Sequence, residues 1–173
     1  YCILDSDALA KHKLVFLPEE SPKSFISVGC GWTSIGADIR IVNPQTKELC
    51  AQDEVGEIWV QSTSVAQGYW KRPEETEKTF QAYIAPTNDG PFMRTGDLGF
   101  IYNDQLHITG RIKDMVIIQG RNFYPQDIEL TMEKCHDALR PSFGAAFAVE
   151  SNQVDHLVVV HEVKREYRKS NDF

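Results

Sequence analysis

The stretch Phe92–Glu129, FMRTGDLGFIYNDQLHITGRIKDMVIIQGRNFYPQDIE, constrains the fold more than any other part of the chain. Phe100-Ile101-Tyr102 and Leu106-His107-Ile108 flank Asn103-Asp104-Gln105, so two short strands meet at a tight polar turn. Thr95-Gly96-Asp97 stands just before the first strand, and Gly110-Arg111-Ile112-Lys113-Asp114 follows the second. A hairpin returns the chain on itself, which brings Asp97 and Arg111 near one end of it. There they offer a carboxylate and a guanidinium to one ligand. An ionised carboxylate only accepts hydrogen bonds, which suits two neighbouring hydroxyls such as a ribose diol. Arginine adds directed donors to the same sugar or to a phosphate. Gly96 and Gly110 allow close backbone approach.

The pattern then changes. Met115-Val116-Ile117-Ile118 is an apolar run that reads as a buried strand, and Gly120 breaks it. Pro125 follows in a first-turn position, with Asp127 and Glu129 near a helix start, where the backbone dipole favours acids. The order is hairpin, polar junction, strand, glycine turn, helix. The junction Arg111-Ile112-Lys113-Asp114 joins two parts of different periodicity, and a pivot fits there.

This order resembles the adenylate-forming (AMP-binding) superfamily, which includes acyl-CoA ligases, peptide-synthetase adenylation domains and luciferases. The residues that carry the likeness are Thr95-Gly96-Asp97, Gly110-Arg111 and Gly120, with Glu57 and Gly68-Tyr69-Trp70 upstream. Within the superfamily the chain is most similar to the fatty acyl-AMP ligases. Val28-Gly29-Cys30-Gly31, Phe92–Gly99 and Arg121–Glu129 carry that closer likeness, with Phe123 where the subgroup commonly has histidine.

The resemblance implies a mixed α/β fold in two lobes. Residues 1–110 are expected to close the large AMP-binding domain with a small antiparallel β-barrel-like subdomain. Residues 111–113 are the expected hinge. Residues 114–173 are expected to begin the α+β C-terminal domain. Neither piece looks complete. The family's phosphate loop and adenine-binding aromatic motif are expected before residue 1, and its catalytic lysine beyond Phe173. The expectation is therefore a fragment that is inactive by itself.

Composition narrows the partners. The net charge of -7 argues against nucleic acid or an anionic membrane surface. No stretch of about 18 apolar residues is present, so no transmembrane helix is expected. Tyr1-Cys2-Ile3-Leu4-Asp5 shows no basic-then-apolar leader, so a cytoplasmic protein is expected. Cys2, Cys30, Cys50 and Cys135 are widely spaced and read as reduced thiols, with no zinc-ligand cluster.

Along the chain, Asp5 or Ser6 caps a short helix through Leu9 and Ala10, and Leu14–Leu17 reads as a strand. Residues 1–24 fall where the fatty acyl-AMP ligases carry a subgroup-specific insertion; a surface loop with one helix is the plainer alternative. Phe25–Val28, Asp38–Val42 and Val55–Val60 read as strands, with a turn at Gly29-Cys30-Gly31 and another at Asn43–Thr46. Trp32 and Trp59 read as core or rim packing, and Tyr69 and Trp70 as packed aromatics. Pro73 with Glu74 and Glu75 starts a helix to Phe80, and 85–91 is a loop. Tyr124–Leu139 is predicted helical and stopped at Arg140-Pro141. Ala145–Val149 and Leu157–Val160 are predicted strands, and 164–173 is a charged tail that frays or begins a truncated helix.

The chemistry implied by the resemblance is carboxylate activation: a fatty acid attacks ATP, magnesium bridges the phosphates, and acyl-AMP forms. Asp97 then holds the ribose, Arg111 the ribose or a phosphate, Lys113 acts as the hinge through its backbone, and Gly120 turns a loop that faces the site. Glu57 and Arg121 are residues for pairing or for orienting backbone, with neither role assigned. The acyl group passes to an acyl carrier protein, alone or within a polyketide or peptide synthase. A long-chain acyl-CoA ligase and a non-catalytic binding module derived from a ligase are the alternatives. No Ser-His-Asp arrangement with supporting motifs surrounds any of the five histidines.

Overall fold

The computed structural model describes residues 1–18, 21, 24–118, 121–151 and 154–167. The chain divides into two compact units, Tyr1–Lys113 and Asp114–Phe173.

In the first unit the elements are β1 (Cys2–Asp5), α1 (Ser6–Leu9), β2 (Ser24–Ser27), β3 (Gly29–Trp32), β4 (Ala37–Val42), β5 (Gly56–Ser62), α2 (Pro73–Phe80), β6 (Ala82–Ile84), β7 (Asp89–Tyr102) and β8 (Gln105–Arg111). Asp5 caps α1 by accepting the Ala8 amide at 2.7 Å, as a side-chain oxygen at a helix start should. Asn43 does the same for its turn, accepting the Gln45 and Thr46 amides. α2 starts on Pro73, whose missing amide costs nothing in a first turn.

Six strands form one antiparallel sheet in the order β3-β8-β7-β5-β4, with β6 added along β7. β3 and β4 end the order and do not meet, so the expected small barrel is instead an open, mixed-length sheet. A separate two-stranded ribbon, β1-β2, supplies the rest of the unit's sheet structure among the described residues. The core lies under the middle of the sheet. Val42, Trp59, Ala82, Ile84 and Phe92 form one buried cluster, and Leu98 and Phe100 are buried further along β7. Complete burial of an indole such as Trp59 contributes about 3 kcal/mol by area.

Several sequence expectations change here. Leu14–Leu17 is not a strand: Phe16 makes only an isolated bridge to Leu4. Gly29-Cys30-Gly31 is not a turn but most of β3, paired to β8 through Gly29↔His107 and Trp32↔Gln105. A Cβ at Gly29 would meet the amide end of the Gln105 side chain, which would have to move aside. Trp32 and Trp70 are largely exposed, 71% and 86%, whereas Trp59 is fully buried. Tyr69 does pack, edge-on against Phe80 at 5.2 Å. The loop expected at 85–91 shortens to a turn, because β7 already begins at Asp89.

The second unit has β9 (Val116–Ile118), β10 (Arg121–Phe123), α3 (Pro125–Glu133), β11 (Leu139–Ser151), β12 (Val154–Val163) and a 3-10 turn at Arg165–Tyr167. The apolar run before residue 119 is a half-buried strand: Val116 is buried and Ile117 is exposed. α3 ends at Glu133, not Leu139. Leu139, Arg140 and Pro141 belong to β11, which tolerates the proline at an irregularity in its pairing between Leu139 and Gly144. Glu129 on α3 accepts the Ala146 amide at 2.9 Å, which ties helix to strand. Burial pushes the Asp127 carboxyl above its ordinary range.

Candidate functional site

The β7–β8 hairpin builds the site. Its turn, Asn103-Asp104, has both residues at positive φ, 49° and 60°, the geometry a two-residue hairpin turn needs. Pairing runs regularly from Tyr102↔Gln105 to Gly99↔Ile108. Then it shifts. The next pair is Leu98↔Gly110, so β8 spends one extra residue, Thr109. The pair after that is Asp97↔Arg111. Uninterrupted counting from the turn would set Asp97 against Gly110. The bulge replaces glycine with arginine, and Arg111 Nε donates to Asp97 Oδ1 at 2.9 Å. Arg111 is 68% exposed by side chain and Asp97 28%, so the pair lies at the surface with the carboxylate the deeper partner.

A second irregularity lies on the other side of β7. Glu57 pairs with Leu98 but Trp59 pairs with Arg94, so β7 spends two extra residues over Thr95-Gly96-Asp97. Gly96 takes φ +75°, a conformation that suits glycine. The bulge is pinned from several directions. Thr95 Oγ1 donates to the Ile58 carbonyl at 2.7 Å and accepts the Asp97 amide at 3.0 Å. The Gly96 carbonyl accepts the Ile112 amide at 2.9 Å. Glu57, which the sequence left without a role, accepts the Gly96 amide at 3.2 Å through Oε1. Its Oε2 accepts Arg94 Nη2 at 2.7 Å, Arg94 Nε at 3.0 Å and Trp59 Nε1 at 2.9 Å. No spacing rule reveals this network. Its members lie up to 39 residues apart, and an alternating strand gives no sign that an inward glutamate is satisfied.

On the opposite face of the hairpin, His107 is buried and stacks on Phe100 at 4.8 Å. Its Nδ1 lies 3.0 Å from Ser27 Oγ. Burial pushes the imidazole below its ordinary pKa.

Of the other residues singled out in the sequence, Lys113 is exposed in a turn and ends the first unit. Gly120 lies outside the described residues, and so does the side chain of Arg121. Trp70 points to solvent. Among the described residues no three His, Cys, Asp or Glu side chains are grouped to hold a metal. The arrangement offers one partly exposed carboxylate, a guanidinium beside it, and a rigid backbone beneath. That combination can hold a diol and present a cation to a neighbouring anion.

Comparison with known proteins finds relatives along nearly the whole chain. A family model described as AMP-binding enzyme matches residues 14–70. The medium-chain-fatty-acid–[acyl-carrier-protein] ligase JamA of Moorena producens is 52% identical over 171 residues, covering 98% of this chain and 29% of that protein. The long-chain-fatty-acid–AMP ligase FadD26 of Mycobacterium marinum is 46% identical over 147 residues, 80% of this chain and 24% of the relative. Among solved structures, the fatty acid AMP ligase from Legionella pneumophila aligns with a TM-score of 0.62 at 40% identity, over 98% of this chain and 29% of its own. A structure from work on fatty acyl-adenylate ligases of E. coli and L. pneumophila reaches 0.74 at 30% identity, over 96% and 28%. The chain thus spans under a third of the length of these relatives.

Proposed function

This chain belongs to the AMP-binding, adenylate-forming enzymes and is most similar to the fatty acyl-AMP ligases among them, and on that premise we propose that it supplies the sugar-gripping edge of an enzyme that activates fatty acids with ATP. A carboxylate oxygen of the fatty acid attacks the α-phosphorus of ATP. The bond to the bridging oxygen breaks, pyrophosphate leaves with its magnesium, and acyl-AMP remains. Two anions must meet, so the catalytic task is positioning and charge neutralisation. Asp97 accepts hydrogen bonds from the ribose diol. Arg111 keeps that carboxylate oriented and adds a donor toward the sugar or a phosphate.

The observation that carries this reading is the Asp97–Arg111 pair itself, held at 2.9 Å on a doubly bulged stretch of strand. An exposed ion pair needs no such scaffolding for stability. A ligand grip does, because its geometry must hold when the ligand is absent.

In the proposed whole protein, residues 1–110 end the large lobe, 111–113 form the hinge and 114–173 begin the small lobe. Lys113 serves through its backbone torsions. The acyl group then passes to the phosphopantetheine thiol of an acyl carrier protein, free or within a polyketide or peptide synthase. JamA, by its name, uses such a carrier. The cytoplasm, where ATP is plentiful, is the proposed location. Among the described residues no helix is long and apolar enough to cross a membrane.

Pyrophosphate–ATP exchange driven by a long-chain fatty acid tests the reading. Fatty-acid-dependent exchange is expected from the full-length protein and none from the 173 residues alone. An intact full-length protein without exchange would overturn it. Incubation with acyl carrier protein against coenzyme A then identifies the acceptor, and rapid acyl-CoA formation would move the enzyme to the CoA ligases.

A further inference from the structure

We propose that Glu57 is a positioning residue for nucleotide binding, acting on Asp97 through the backbone of Gly96. The inference rests on the reading of Asp97 as the ribose-binding carboxylate and adds a residue that touches no substrate.

The location of Glu57 argues against simple stabilisation. Its side chain is 2% exposed. Taking a carboxylate out of water is costly, and a well-packed apolar pair of similar volume often serves a core as well or better. Here the carboxylate receives four donors, three on Oε2 and one on Oε1. The Oε1 bond goes to the Gly96 amide, inside the two-residue bulge and one residue before Asp97. Gly96 sits at φ +75° with open space around its missing side chain, so neighbouring atoms do not wedge it in place. Hydrogen bonds do. The Gly96 amide is held by Glu57, its carbonyl by the Ile112 amide, and Thr95 by Ile58. Arg94 and Trp59 fix the other end of the carboxylate, and the Arg94 guanidinium lies over the Trp59 ring at 5.6 Å.

The chain of contacts therefore runs from buried Trp59 and part-buried Arg94 through Glu57 to the Gly96 peptide, and from there to the aim of Asp97. Substituting Glu57 by glutamine keeps the shape and one carbonyl oxygen. An amide cannot accept from Arg94 and Trp59 on one side and from Gly96 on the other, because one of its two ends is a donor. One anchor is lost, and the bulge gains freedom that an exposed ion pair does not remove.

The test compares ATP with 2′-deoxy-ATP in the full-length protein by fatty-acid-dependent pyrophosphate exchange. A grip on the diol makes the wild-type protein prefer ATP, and Asp97→Asn should collapse that preference toward unity. Glu57→Gln is expected to raise the KM for ATP about tenfold, the scale of one charge-assisted hydrogen bond, and to cut the ATP preference at least threefold, with the KM for fatty acid unchanged. A merely structural role would lower the amount of folded enzyme and leave the preference ratio intact; that result overturns the inference. Loss of the preference in Asp97→Asn with an unchanged ratio in Glu57→Gln defeats the Glu57 inference alone. No preference in the wild type, or none lost in Asp97→Asn, defeats the ribose reading beneath it. If Glu57→Gln does not fold, Arg94→Lys, which keeps the charge and removes the fork on Oε2, is read by the same ratio, and an unchanged ratio there also overturns the inference.

Discussion

Arg111 faces Asp97 because Thr109 takes up one extra position in β8, and the two side chains meet at 2.9 Å as a result. Their partnership is a product of strand register, whereas most surface ion pairs are products of chance proximity. The exposure of Arg111 then sets what its loss should cost. At 68% exposure the pair contributes little to folding. Arg111→Ala should leave the melting temperature within about 2 °C, equivalent to a few tenths of a kcal/mol. The same variant in the full-length protein should weaken ATP binding by about tenfold or more in calorimetric titration. A large fall in melting temperature with unchanged ATP affinity would make the pair structural.

Glu57→Ala should be far more costly to stability. It leaves the Arg94 guanidinium facing a cavity and strips the Trp59 and Gly96 donors of their acceptor. Breaking a buried pair costs about 3–5 kcal/mol, reduced here to about 2–4 because Arg94 is itself 29% exposed. Urea denaturation should show a lower midpoint. A shift of under about 0.5 kcal/mol would mean that the network is solvated.

Thr109 provides a prediction of opposite sign. Its side chain is buried, and Oγ1 has no hydrogen-bond partner among the described residues. A buried hydroxyl left unsatisfied costs about 1–3 kcal/mol. Thr109→Val keeps the shape and the β-branch and should therefore be neutral or raise stability by up to about 1 kcal/mol, read by thermal melting. A clear loss would reveal a polar partner for Oγ1.

His107 should make stability depend on pH. Burial lowers its pKa in the folded protein, so the unfolded chain binds the proton first as pH falls. The stability contributed by neutral His107 is fully present above about pH 6.5, the ordinary histidine value, and is lost as pH falls through the lower folded value. Burial shifts His12 the same way, so one substitution should flatten the slope only in part. Denaturation of His107→Gln followed from pH 7.5 downward should show a shallower decline than wild type. An unchanged slope would remove His107 from the titration.

The hairpin and its acid–base pair were legible because they are local. Period-two alternation and the polar Asn103-Asp104 turn fix the strands, and the return of the chain brings residues 97 and 111 together. What stayed hidden is long-range. Glu57 reaches 37 residues to Arg94. β3 consists half of glycine and carries no strand signal, yet it pairs with β8. The barrel expectation missed β1, β3 and β6, and could not see that β3 and β4 fail to meet. The overlong helix came from reading Pro141 as a stop, although a proline is also tolerated where strand pairing slips.

β7 is paired with β5, β6 and β8. At Leu98 and Gly99 it is paired on both sides, by β5 and by β8, so a residue inserted there would shift two alignments at once. Natural variation in chain length should therefore be shed at the tips: the Asn103-Asp104 turn, the Pro86–Asn88 turn and the segment between β5 and α2. The span from 89 to 102 should hold constant length wherever this hairpin occurs.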